Sequence, residues 1–309
     1  MKIKHRHRFA PLAAATVAGF LLITGFSASG HAQTSAAAGT AGQASAPLFS
    51  LLPARIQKAG KVVVGSAINY PPFENYAPDG TTLVGFEVEL ANALEKVLGV
   101  KFEWQNAAFD TLFASLKAGR YDVVYGATND TPEREQAFDM VDYVQASQGF
   151  DVAGGNPDHI TTVEDLCGKA VAVVTGGVQD QWLRSVGDDT CKKTGKSPIT
   201  VLTFAGAAGE QLAVREGKAS ALLENFPTAV VFARTSKGAL EQVPNLQVLK
   251  TYFAMVVPKS DPQLRDALQK GWDAIIQNGS YGKVLAKWGL SDLALPQAYV
   301  NGATTHPAK

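Results

Sequence analysis

Short apolar runs alternate along this chain with stretches whose apolar residues recur every third or fourth position, the pattern of buried strands alternating with amphipathic helices. Lys61-Val-Val-Val-Gly-Ser66 is a first buried strand. Tyr70-Pro-Pro-Phe73 follows as a rigid loop, because two prolines fix the backbone and leave two aromatics displayed. After the turn at Asp79-Gly80, Phe86, Leu90, Ala93, Leu94 and Val97 recur at helical spacing, and Gly99 supplies the stop. Val100 to Trp104 alternates as a second strand. Phe109, Leu112, Phe113 and Leu116 mark the next helix, ended by Gly119. Tyr121 to Gly126 is a further strand, opening into Gly126-Ala-Thr-Asn-Asp-Thr-Pro-Glu-Arg134.

A second, similar set begins after Gly149. Ala170-Val-Ala-Val-Val174 is a buried strand that Thr175-Gly-Gly-Val-Gln-Asp180 turns into a helix over about Val178 to Val186. Ile199 to Phe204 and Ala219 to Leu223 are strands, with a helix between them from Gly209 to Gly217. Pro227 opens another helix at its first turn. Leu246 to Leu249 closes this half. Thr251 to Val257 is then a strand, and Asp261-Pro262 caps a helix with Leu264, Leu268, Trp272 and Ile275 on its buried face. Tyr281, Val284, Leu285 and Trp288 repeat the helical pattern up to Gly289. The tail from Pro296 has no period. Strands and helices joined by short connections predict an α/β chain with mostly parallel sheets, in two lobes with a cleft between them.

The N-terminus carries Lys2, Lys4, Arg6 and Arg8 ahead of a nearly all-apolar Phe9 to Phe26, and small residues surround a cut before Gln33. This is the layout of a cleavable signal peptide, 1–32, and predicts export to the periplasm. Residues 33–55 are expected to form a disordered tether, since they open with Ala, Gly, Ser and Thr. Loss of the four leader cations takes a chain of 28 basic and 28 acidic residues to a net charge of −4. That balance gives no support for nucleic acid as partner. In an exported chain the pair Cys167 and Cys191 reads as a disulfide. The rival is a metal site, but His159 and His306 show no ligand spacing to either cysteine. No metal and no cofactor is expected.

The stretch Gly126–Arg134 leaves a strand at its carboxyl end, where ligands bind in open α/β sheets. Arg134 offers a planar fork of donors for a carboxylate, although a surface arginine on a turn fits the pattern too. From the other lobe, Gly176, Gly177 and Val178 bring backbone amides at a helix start, either an anion site or a tight turn. Tyr70 and Phe109 both follow strands and are placed to stack on a ligand, with core packing the alternative for Phe109. No Gly-x-Ser-x-Gly, no Cys–His pairing and no phosphate-cradling Gly-x-x-x-x-Gly-Lys occurs, which favours a binder over an enzyme.

Several of these segments resemble one family. Tyr70-Pro-Pro-Phe, Gly85-Phe-Glu-Val-Glu-Leu, Phe109-Asp with Leu116-Lys-Ala-Gly, and Thr131-Pro-Glu-Arg134 are similar to the periplasmic amino-acid-binding proteins of ABC uptake systems, the family 3 solute-binding proteins. Leu166-Cys-Gly-Lys with Cys191, Gly176 to Gln179, Gly279-Ser-Tyr-Gly and Lys287-Trp-Gly-Leu extend the resemblance over about Lys61 to Leu290. It implies the two-lobed periplasmic-binding-protein fold, with a hinge and a central ligand cleft. Two crossing strands are expected near Gln148–Val152 and Leu249–Phe253. Lobe 1 is then 56–148 plus 253–295, lobe 2 is 149–252, and 296–309 is a tail.

The resemblance also implies roles. Arg134 falls where such proteins clamp an α-carboxylate, and Tyr70 and Phe109 where aromatics cover the ligand's side chain. Gly126, Ala127 and Asn129 lie on the stretch that supplies backbone and hydroxyl contacts. Gly177, Val178 and Gln179 match the loop that meets the carboxylate. The chain departs from the pattern in three places. Asn129 stands where Thr or Ser is usual, Val178 replaces another hydroxyl residue, and Asn225 stands where an Asp pairs with the α-ammonium. Glu224 is adjacent, and strand alternation points it to the other face, as a surface or partner-facing residue. Ala67 lacks the acid that favours a basic side chain, which argues against lysine and arginine as ligands. The expected function is a monomeric receptor for an amino acid or related small carboxylate, feeding an ABC permease. The alternatives are a periplasmic enzyme on the same scaffold, a cyclohexadienyl or arogenate dehydratase, and a sensor module needing a separate output partner.

Overall fold

Buried on both faces, the apolar runs pair with one another, and the amphipathic stretches cover them. The computed structural model describes residues 46–308. The expected signal peptide and the tether up to residue 45 lie outside the described residues. Eleven strands form: β1 (Lys61–Ser66), β2 (Asn75–Tyr76), β3 (Leu83–Val84), β4 (Lys101–Asn106), β5 (Val123–Val124), β6 (Phe138–Ala153), β7 (Ala170–Val174), β8 (Thr200–Phe204), β9 (Ala221–Asn225), β10 (Leu240–Pro258) and β11 (Ala294–Val300). Nine of them make one sheet in the order β4-β1-β5-β10-β6-β9-β7-β8, with β11 on β6. β1 is parallel to β4 and β5, and β7 is parallel to β8 and β9. Each outer part of the sheet is thus parallel, as expected from the alternation.

The centre differs from expectation. β6 and β10 are 16 and 19 residues long and pair antiparallel with each other. The segments Leu246–Leu249 and Thr251–Val257 therefore belong to one strand, broken only by register shifts on either side of Leu249, which sits at φ 52°. Such irregularities bend a strand without ending it. On the lobe 1 side β6 pairs with β11 as far as Val144, and from Gln148 to Val152 it pairs with β9. Both segments expected to cross between the lobes lie in this central pair.

The helices follow their signals. Asp261 caps the helix Pro262–Gln277, accepting from Leu264 N–H at 3.1 Å. The helix after Gly177 differs: Val178–Trp182 continues through a wide turn, Leu183–Gly187, into Asp188–Lys193. One apolar cluster joins Phe86, Leu90 and Leu94 to Phe253, Trp272 and Leu285, so the first lobe is assembled from both ends of the sequence. Two smaller clusters fill the second, around Phe150, Val171 and Leu223 and around Leu222 and Phe232. Cys167 and Cys191 form a disulfide with Cα atoms 5.5 Å apart.

Two expected boundaries move. Leu52 and Ile56 are fully buried and Leu48 N–H bonds Val97 O at 3.0 Å, so the tether does not run to residue 55. The apolar residues from Leu48 onward bury themselves against lobe 1. The tail is not free either. β11 completes a ladder on β6, and Gly302 and Ala303 N–H donate to Asp142 and Asp130 at 2.8 and 3.0 Å. Backbone pairing leaves no side-chain period to read.

Candidate functional site

A cavity of 460 Å³ opens where the strand ends of both lobes meet. Lobe 1 contributes Tyr70, Phe109, Gly126, Ala127 and Asn129, and lobe 2 contributes Gly177, Val178, Gln179 and Asn225. Nine of the ten predicted site residues thus come together. Gly126 is required where it stands. Its φ is 147°, and a Cβ there would lie 2.5 Å from Ser66 Oγ and 2.7 Å from Glu74 Oε1.

Arg134, the tenth, stands behind the lining. Thr131 caps its helix, Pro132–Ala137, and so fixes the backbone from which the arginine projects. Its guanidinium carbon lies 4.8 Å from the Phe113 ring centroid and 5.6 Å from that of Phe109. It donates to Asn129 O at 2.6 Å and, across the cleft, to Gly176 O at 3.4 Å. Burial lowers its pKa to about 10, so it stays charged at neutral pH. Among the described residues no carboxylate forms an ion pair with it. Gly176 thus presents its carbonyl to Arg134, and Gly177 N–H is spent on Val174 O at 3.1 Å. The amides left to the cavity at this helix start belong to Val178 and Gln179. Gln179 turns its side-chain amide to Gln148 Oε1 at 2.7 Å.

The place of the acids in the cavity was not foreseen. Glu224 does not face away from the cleft: it is 1% exposed, lines the cavity, and accepts from the Tyr70 hydroxyl. β9 runs two residues further than expected, to Asn225, whose φ of −52° turns the chain into the next helix. Strict alternation ends with the strand, so neighbouring side chains share the cavity. Glu74, also 1% exposed and lining the cavity, takes Ser66 Oγ–H at 3.1 Å. Burial and the charge of Glu87 hold its pKa well above the carboxylate range, and burial lifts Glu87 to about 7. Ala67 lines the cavity as well, but Glu74 and Glu224 line it too, so the missing acid at Ala67 does not by itself disfavour a basic ligand. The segment Phe204–Gly209, from the end of β8 into the first turn of the helix Ala207–Arg215, was also missed; its one signal was a run of small residues.

Four polar atoms of lining residues are buried without a partner: Asn129 Nδ2, a donor, and Glu74 Oε2, Glu224 Oε1 and Asn225 Oδ1. Two α/β lobes with such a cavity between them are the architecture of an extracellular binding protein that closes on a small solute. The chain belongs to the bacterial extracellular solute-binding proteins, family 3, whose family model matches residues 62–291. It is 28% identical over 252 residues to an arginine-binding protein of Corynebacterium glutamicum, covering 82% of each chain. An arginine-binding extracellular protein of Bacillus subtilis is 27% identical, over 74% of this chain and 86% of the relative. An ancestral amino acid-binding protein, a precursor of cyclohexadienyl dehydratase, superposes with a TM-score of 0.67 at 28% identity, over 76% of this chain and 97% of that one. An ancestral arginine-binding protein bound to arginine gives 0.66 at 28% identity, over 74% and 98%.

Proposed function

We propose that this protein is a periplasmic receptor that captures an amino acid or related small carboxylate between its lobes and delivers it to an ABC importer. The observation that carries this reading is the set of unpartnered buried atoms around the cavity, a donor on Asn129 and acceptors on Glu74, Glu224 and Asn225. A zwitterion complements both kinds. Buried polar groups without partners are costly, so a ligand that supplies the partners gains affinity. Arg134, a cation with no carboxylate of its own, marks the end for the ligand's carboxylate, with Asn129 and the amides of Val178 and Gln179 beside it. Tyr70 and Phe109 cover the ligand's side chain. The names of the relatives, which bind arginine, support an amino acid. Cleavage of residues 1–32 releases the receptor, and it acts as a monomer on its permease without cofactor or metal.

Thermal-shift screening of the purified protein against amino acids and small carboxylates tests this. A cognate ligand at a hundredfold excess over its dissociation constant stabilises by about 2.7 kcal/mol; a flat screen contradicts it. A dehydratase is the second reading, favoured by one observation: Glu224, buried in the cavity with a raised pKa, is a candidate proton donor. The names of the relatives reported above, which are binding proteins, favour the receptor. Turnover of a cyclic precursor supports the enzyme; stoichiometric binding supports the receptor.

A further inference from the structure

Arg134 stands among acids and pairs with none of them. Asp130 precedes it by four residues, and Glu133 and Glu135 flank it, yet among the described residues no carboxylate forms an ion pair with its guanidinium. Two of those acids are engaged elsewhere. The segment after β11, beyond the residues that the family model matches, folds into a single turn, Gly302–Thr305. The first amides of a helical turn have no partner within it. Here three in a row take carboxyls from three elements: Gly302 N–H donates to Asp142 Oδ2 at 2.8 Å, Ala303 N–H to Asp130 Oδ2 at 3.0 Å and Thr304 N–H to Glu135 Oε1 at 3.1 Å. The turn is itself tied down. Tyr252 on β10 donates its hydroxyl to His306 O, and the His306 ring stacks on Tyr299 with centroids 4.3 Å apart. Gly302 is needed for so close an approach, because a Cβ there would lie 2.2 Å from Asp142 Oδ2 and 3.2 Å from the Tyr252 ring.

The backbone of Asp130 belongs to the clamp. Its N–H donates to Tyr252 O at 2.8 Å, its carbonyl accepts from the Thr251 hydroxyl, and Arg134 holds the carbonyl of Asn129 just before it. The Asp130 carboxyl is near enough to act on Arg134 through its charge. Burial lifts Asp130 to about 7 against the pull of the Ala303 amide, and its Oδ1 is buried without a partner.

Resting on the reading of Arg134 as the carboxylate clamp, we propose that the turn Gly302–Thr305 is a positioning element of the ligand site: it holds the carboxyls of Asp130 and Glu135 on its amides and so keeps the arginine free for the ligand's carboxylate. With the turn in place, Arg134 donates to two carbonyls, which leave its charge uncompensated. With the turn gone, Asp130 loses both its cover and its amide, ionises, and closes on the guanidinium. An internal carboxylate then competes with that of the ligand. Glu135 is the weaker rival, since adjacent residues on a helix do not face each other.

The test uses the mature protein and, as probe, the common L-amino acid that gives the largest thermal shift. Calorimetry compares the full chain with one ending at Asn301, which keeps β11 and the bond from Met140 N–H to Asn301 Oδ1. The shortened chain should bind the probe about tenfold more weakly. Asp130→Asn within it should restore most of the loss, because an amide brings no charge to the guanidinium; a merely structural role predicts no such rescue. Gly302→Ala in the full chain should weaken binding in the same way, again recovered by Asp130→Asn, and it decides the matter if the shortened chain does not fold. Either variant, folded, that binds the probe as tightly as the full chain overturns the proposal, and so does a loss that Asp130→Asn leaves in place. A screen in which no amino acid shifts the melting temperature removes instead the receptor reading on which the proposal rests.

Discussion

The two ends of the cavity treat charge in opposite ways. At the lobe 1 end, Arg134 lies against Phe113 and Phe109 and donates to the carbonyls of Asn129 and Gly176. Ring faces and carbonyl dipoles keep a cation charged without consuming it, so it retains attraction for a carboxylate. At the lobe 2 end, Glu224, Glu210 and Asp151 share one buried region without an ion-pairing cation among the described residues, and burial drives them toward the neutral form. One end is charged in advance; at the other, burial favours the neutral acids. A cleft can thus be polar in both senses while burying only one permanent charge.

The largest expected effect is at the charged end. Arg134→Ala should weaken binding of the cognate ligand by about 2–5 kcal/mol, read by calorimetry. Arg134→Lys should fall between, because an ammonium keeps the charge but not the planar fork or the stacking. Gly126→Ala strikes the same wall through its backbone. With φ at 147° and Ser66 Oγ 2.5 Å from the new Cβ, it should cost about 1–3 kcal/mol of stability in denaturant titrations. At the acid end, Tyr70→Phe removes the hydroxyl that links the lobes. It should cost about 1 kcal/mol and raise the dissociation rate of the ligand, as stopped-flow would show.

The gentlest probe is pH. Burial raises the folded-state pKa of Glu87 and Asp130 to about 7 and of Asp151 to about 8, from ordinary values of 4.5, 3.8 and 3.8. Each carboxyl binds its proton more tightly when folded, so its contribution is fully present below about pH 4 and is lost as pH rises through 7 to 8. Urea midpoints should therefore fall from pH 5 to pH 8. Midpoints that rise over that window would mean these acids are ionised and paired in the folded protein.

What was legible in the sequence was local. Gly126 to Arg134 carries its strand end, its helix cap at Thr131 and its arginine within nine consecutive residues, and Asp261 announced its helix in the same way. The disulfide followed from two cysteines in an exported chain. The acid end was not legible, because it is assembled from β6, β9, a helix and a loop of the other lobe, and a two-residue difference in where a strand ends decides which way Glu224 points. β10 read as two strands because its bulges interrupt side-chain alternation but not the backbone ladder. β11 was invisible for the converse reason: it is held by backbone bonds to β6, and the residues just after it, Gly302 and Ala303, by carboxylates that belong to distant segments.

The polarity of the cavity is the central claim, and a crystal structure of the complex with the tightest amino acid from the screen tests it most directly. The account expects the ligand's carboxylate within about 3 Å of the Arg134 guanidinium and its ammonium at similar distance from Glu224 Oε1 and Asn225 Oδ1. A ligand lying the other way round, or with its ammonium at neither acceptor, would contradict it.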